Sequence, residues 1–142
     1  MIVCVDTSYL ASLYAVEVHS FEARRRMKRK PLVLVTPLNR AEMAHAFYSQ
    51  VFRSKISVAE ARLAWMTFVR DCTKQIWTLV DLPETLWEAS INLGRRYGPT
   101  IGVRTQDTLH VACALELRAN RFWTFDERQA KLAEAVGLDT TA

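Results

Sequence analysis

Four carboxylates stand where a carboxylate needs a reason to be. Asp6 directly follows the apolar run "IVCV". Glu42 sits inside the apolar helical face of "NRAEMAHAF". Asp107 starts the most apolar helix pattern, "TQDTLHVACA", and Asp126 follows "RFWTF" at once. An ionised carboxylate is costly to bury without a partner. Each acid also has an ordinary explanation. Asp6 and Asp126 could cap the helices that follow, Asp107 could be a first-turn acid favoured by the helix dipole, and Glu42 could face water. No lysine or arginine occupies a matching apolar context to neutralise the group. Gathered together, two such charges ~4 Å apart repel by roughly 4 kcal/mol at an effective dielectric of about 20. A divalent cation removes that conflict, and all-oxygen donors suit Mg²⁺ or Mn²⁺ rather than zinc. Such an ion eases the ionisation of water and stabilises in-line attack on phosphorus, which is the chemistry of phosphodiester hydrolysis.

The elements that must position these acids follow from pattern. Residues 2–5, 32–35, 76–82 and 121–125 read as strands, the first two fully apolar as in a sheet covered on both faces. Thr7 or Ser8 can cap a first short helix, and a second runs from about Ser20 into the basic run before Pro31. Thr36 and Pro37 suit the N-cap and first position of a long helix, and Ser57 and Glu60 have capping-box spacing for the next. Pro83 opens a helix ending near Gly98 and Pro99. Another covers "TQDTLHVACALELRA", a short one stops at Gly137, and the last residues could add a small edge strand. Strands alternating with helices predict a single α/β domain over 1–142, with a mostly parallel sheet of four to five strands and about seven helices. In open sheets of this kind ligands bind beyond the carboxyl ends of the strands, where Asp6 and Asp126 both sit.

The formal net charge of +4 and pI of about 9.2 lean toward acidic partners such as nucleic acid. Much of the excess lies in "RRRMKRK": Arg24, Arg25, Arg26, Lys28, Arg29 and Lys30. This run is either a solvated helix end or an electrostatic grip on RNA phosphates, with Arg104, Arg95 and Arg96 as further contributors. The three cysteines, Cys4, Cys72 and Cys113, lack metal-type spacing and read as buried thiols of a reducing compartment. No apolar run approaches the ~20 residues of a membrane span, and no signal-type stretch opens the chain, so a cytoplasmic protein is expected.

Taken in order, "VDTSYL", "NRAEMAHAF", "TQDTLHVACA" and "WTFDERQAKLAEAVGL" resemble the PIN-domain nucleases, and among them the VapC-type toxins of toxin–antitoxin pairs. The resemblance spans essentially the whole chain. It implies that Asp6 and Asp107 are the main metal ligands. Glu42 and Asp126 would complete the metal's shell, directly or through water, and orient the nucleophile. Thr7 or Ser8 could hold a carboxylate or phosphate oxygen, and Thr124 could support the Asp126 turn. It further implies a Mg²⁺- or Mn²⁺-dependent endoribonuclease, a cognate antitoxin that blocks the site, and a homodimer. "TQDTLH" departs modestly from the commoner Asp-Ala-Leu-His form.

Two other readings compete. Glu42 and His45, like Asp107 and His110, are spaced i, i+3 as in di-iron carboxylate bundles, but those folds are all helical and need a second glutamate motif. The histidines then serve packing or a bond to the acids. A binding module that keeps the acidic site without turnover is the alternative function. The stretches 38–54 and 57–72 are apolar on more than one face, as core or as a partner surface. Trp77, Trp87 and Trp123 are expected in the core.

Overall fold

The computed structural model describes all 142 residues. Four parallel strands, β1 (Ile2–Val5), β2 (Leu32–Val35), β3 (Thr78–Leu79) and β4 (Arg121–Trp123), form one sheet in the order β3-β2-β1-β4. The helices are α1 (Thr7–Ser12), α2 (Ser20–Met27), α3 (Pro37–Phe52), α4 (Val58–Thr73), α5 (Leu86–Ile101), α6 (Thr105–Glu116) and α7 (Glu127–Ala135). The chain builds outward from β1 to β3 and then returns to place β4 on the other side of β1. That reversal makes the carboxyl end of β1 the switch point of the sheet, the position where open α/β sheets form a crevice.

Alternation along the strands separates two apolar layers. Val3, Val5, Val33 and Val35 face Tyr9, Leu10, Met43, Phe47 and Phe68 of α1, α3 and α4. Cys4, Leu34 and Phe122 face Val111, Ala114, Leu132 and Ala133 of α6 and α7. Every residue of α6 from Asp107 to Ala114 is buried, which explains why its sequence is so largely apolar. All three cysteines are buried and free. Burial, with a smaller push from Cys113, raises the Cys4 thiol to about 12, so it is inert at neutral pH. No helix is long and apolar enough to cross a membrane.

Several local expectations are corrected. Asp6, not Thr7 or Ser8, is the N-cap of α1. β3 pairs over two residues only, because it is an edge strand whose single partner, β2, ends at Val35. Pro83 begins a turn, closed by the Leu86 N–H to Pro83 O bond, and α5 starts only after it. α5 then runs through Pro99 to Ile101 and stops at Gly102, whose left-handed φ of 69° favours glycine. The fifth strand amounts to one bridge, Arg121 to Asp139. Trp77 and Trp123 are buried as expected, but Trp87 is 59% exposed at the start of α5.

Candidate active site

A cleft of about 150 Å³ opens at the carboxyl ends of β1 and β4, and all four acids line it. Its wall is entirely polar: Asp6, Thr7 and Ser8 from β1–α1, Glu42 from α3, Arg104, Gln106, Asp107 and His110 around α6, and Asp126 and Gln129 around α7. Residues from 6 to 129 in the chain therefore meet at the switch point. The helical caps are also the site. Asp6 and Asp126 cap α1 and α7, and Asp107 occupies the first turn of α6. The ordinary and the chemical explanations of these acids hold together, because a capping acid at a strand end already points at the crevice.

Asp6 is 6% exposed. Its Oδ1 accepts the Tyr9 N–H at 2.8 Å, and its Oδ2 accepts the hydroxyls of Ser8 and Thr124, each at 2.7 Å. Burial raises its carboxyl above the ordinary range, against the pull of those three bonds and the charge of His110. Thr124 joins two acids: its hydroxyl proton goes to Asp6, and its oxygen accepts the Asp126 N–H at 3.0 Å. Asp126 Oδ1 caps α7 by accepting the Gln129 N–H at 2.9 Å. Glu42 is bonded to His110 Nε2 at 2.6 Å, with the imidazole 5% exposed. His110 thus positions an acid rather than simply packing. His45 lies exposed on α3 and does neither.

The expectation that no built-in cation neutralises the acids is wrong. Arg104 precedes α6. Its N–H donates to Asp107 Oδ2 at 2.8 Å, and its guanidinium stands 3.4 Å from that oxygen and 3.6 Å from Asp126 Oδ2. These carboxylates hold the guanidinium above its usual pKa, Asp107 through its hydrogen bond and charge, then Asp126. The side chain is nevertheless 59% exposed and its charged contacts are long, so it lies over the cleft from the solvent side rather than filling it. The raised Asp6 carboxyl also has burial as its cause, not a neighbouring acid.

The donor set fits a hard dication: four carboxylates and two hydroxyls, with no apolar wall. Thr7 lines this cleft, and its Oγ1 is buried without a partner, a cost of roughly 1–3 kcal/mol. In the conformation seen, no three acidic, histidine or cysteine side chains converge tightly enough to cage an ion.

Of the sequence-derived cations, only Arg104 reaches the cleft. Lys30 lies just ahead of Pro31 and β2, so the basic run ends at the amino edge of the strands, opposite the acids. Arg25 and Arg26 are tied to Glu22 at 2.6 and 2.9 Å, and Arg26 stacks on Trp123 and Phe125. Two cleft residues escaped the sequence reading. Gln106 leaves no signal, whereas Gln129, 2% exposed, stands three residues after Asp126 in capping-box spacing that could have marked it.

The PIN domain family model matches residues 3–135. None of the curated proteins is similar enough in sequence to match. Among solved structures, the sarcin–ricin loop cleaving toxin VapC20 of Mycobacterium tuberculosis superposes with a TM-score of 0.71 at 18% identity, covering 98% of each chain. VapBC2 of Rickettsia felis, bound to a DNA fragment from their promoter, gives 0.67 at 14% identity over 100% of both chains. A toxin–antitoxin complex from Klebsiella pneumoniae gives 0.57 at 15% identity, covering 87% of this chain and 86% of that one. At these identities the likeness is one of fold.

Proposed function

The chain belongs to the PIN domain family, and from that membership and the chemistry of its cleft we propose that it is a Mg²⁺- or Mn²⁺-dependent endoribonuclease, the toxin of a toxin–antitoxin pair. The observation that carries the reading is the meeting of Asp6, Glu42, Asp107 and Asp126 in one wholly polar cleft at the switch point. A bound dication would supply a readily ionised water and charge stabilisation at phosphorus. Asp6 and Asp107 would hold it. Glu42, fixed by His110, and Asp126, fixed by Thr124, would complete the shell and orient the attacking water. Ser8 and Thr124 keep Asp6 in one rotamer, and Thr7 stands beside it. Because the nucleophile is water, no covalent enzyme intermediate forms.

The antitoxin's place in this proposal is an apolar face of the helices. An apolar groove of about 780 Å³ opens between α1, α3 and α4, lined by Leu13, Val16, Phe47, Ile56 and Leu63 among others. Val16 is 95% exposed and Leu63 67%, an arrangement that a partner would cover. A homodimer and a cytoplasmic location belong to the same proposal.

The test is cleavage of cellular RNA by the purified protein with Mg²⁺, with Mn²⁺ and with EDTA, and mapping of the new 5′ ends. Discrete cuts that vanish in EDTA and on addition of the protein encoded by the adjoining open reading frame are expected. The Arg104 bridge favours a second reading, a module that docks RNA or metal without turnover, and RNA binding with no cut under any dication would establish it. Thr124→Val keeps the shape and removes the hydroxyl that joins Asp6 to Asp126. Support of this kind is worth roughly 10–100-fold. We expect kcat/KM to fall by that factor in Thr124→Val and to recover in Thr124→Ser; an unchanged Thr124→Val would remove Thr124 from the site.

A further inference from the structure

A cleft walled by four acids repels the phosphates on either side of the bond it cuts, so an RNA strand needs cations beside it. A second cleft, of about 460 Å³, adjoins the first and shares Arg104 and Asp126 with it. It lies between the last turn of α5 (Thr100, Ile101) and the start of α7, where Arg128 and Lys131 face it. Both are exposed and neither makes an ion pair, in contrast to Arg25 and Arg26. The nearby acid Glu127 is likewise exposed and lines the same wall, leaving three cations against two acids. The groove is shallow and has one apolar residue, a lining that suits a phosphodiester backbone rather than a base.

We propose that this groove between α5 and α7 is the subsite that holds the RNA backbone beside the cut, with Arg128 and Lys131 gripping phosphates. Arg104 stands at the boundary. Displaced from Asp107 and Asp126 by a dication, its guanidinium is already lining the groove and turns to the nearest phosphate. The basic run at 24–30 is given no part: it ends at the amino edge of β2, and Arg25 and Arg26 are already tied to Glu22. The inference rests on the ribonuclease reading for its ligand but not for its test.

Binding of a fluorescein-labelled single-stranded RNA, followed by anisotropy in EDTA over a series of salt concentrations, separates the two. Each phosphate contact on single-stranded nucleic acid contributes about 0.7 to the slope of log affinity against log salt, which is about fivefold in affinity near 0.1 M. The double variant R128Q/K131Q should lose about 1.4 of slope and roughly 25-fold in affinity, melt like the wild type, and raise KM with kcat unchanged. The charge-matched variant K28Q/K30Q should bind as the wild type does. An unchanged slope in R128Q/K131Q, an equal loss in K28Q/K30Q, or no measurable RNA binding by the wild type would overturn the proposal. Should R128Q/K131Q show the loss while the wild type cuts nothing in Mg²⁺, the subsite stands and the nuclease reading falls. Cleavage with an unmoved slope gives the reverse.

Discussion

Asp6→Asn should abolish RNA cleavage, by about 10³-fold or more (roughly 4 kcal/mol of transition-state stabilisation), while the metal-free protein melts no lower than the wild type at neutral pH. The two halves of this result have separate causes. For activity, Asp6 is the most central of the four acids, at the end of β1, and its charge is what a dication would bind. For stability, the charge is a burden on the metal-free fold. Burial outweighs the hydrogen bonds from Ser8, Thr124 and Tyr9 and raises the carboxyl in the folded state. A group with a raised folded pKa favours folding when protonated. That contribution is complete below the unfolded value of about 3.8 and is lost as pH rises through the raised folded value. As the pH rises through that value the wild type loses it, and asparagine, uncharged at every pH, does not incur the loss. The amide oxygen still accepts the Tyr9 N–H, and the hydroxyls of Ser8 and Thr124 can reverse to accept from the amide nitrogen. Melting in EDTA should therefore show the variant's advantage at pH 7 shrinking as pH falls toward 4. A large loss of melting temperature at pH 7, or surviving cleavage, would refute the assignment.

Parts of this site can be read without coordinates for physical reasons. A short apolar strand followed by an acid fixes both where the acid lies and that it caps the next helix, so Asp6 and Asp126 were readable from local sequence. Asp107 was readable because it is the one acid in the first turn of the most apolar helix pattern, α6. What escaped depends on contacts between distant segments or on side-chain direction. Glu42 and His110 meet across 68 positions of sequence, and no periodicity signals that pairing. Arg104 looks like a surface cation of a loop. Its place at the N-cap of α6, three residues before Asp107, turns it back over the cleft. The basic run at 24–30 could not be placed from sequence, because charge density says nothing about which end of the strands it reaches. The ends of β3 and α5 were misjudged because an edge strand stops where its only neighbour stops, and a proline can sit inside a helix.

Asp107→Asn should match Asp6→Asn in lost cleavage and oppose it in stability. Repulsion among bare acids would make both substitutions stabilising; the Arg104 bridge is why they part. Asp107 is a carboxylate with its partners in place. Its Oδ2 accepts the Arg104 N–H at 2.8 Å, the guanidinium lies 3.4 Å away, and the side chain sits in the first turn of α6, where negative charge is favoured. Asparagine keeps one acceptor and gives up the charge, a loss of about 1–2 kcal/mol of the kind measured at helix N-termini. Pairing Asp107→Asn with Arg104→Met isolates the bridge: Arg104→Met should lower the melting temperature of the wild-type protein in EDTA and barely alter that of Asp107→Asn. Its effect on metal runs the other way. A dication entering the cleft must displace the guanidinium, so Arg104→Met should bind Mn²⁺ roughly threefold to tenfold more tightly in calorimetry without RNA, in keeping with the modest strength of exposed ion pairs. Equal stability losses from Arg104→Met in both backgrounds, with metal affinity unmoved, would mean that Arg104 only rests on the cleft's edge and that Asp107 matters to the fold through its cap alone.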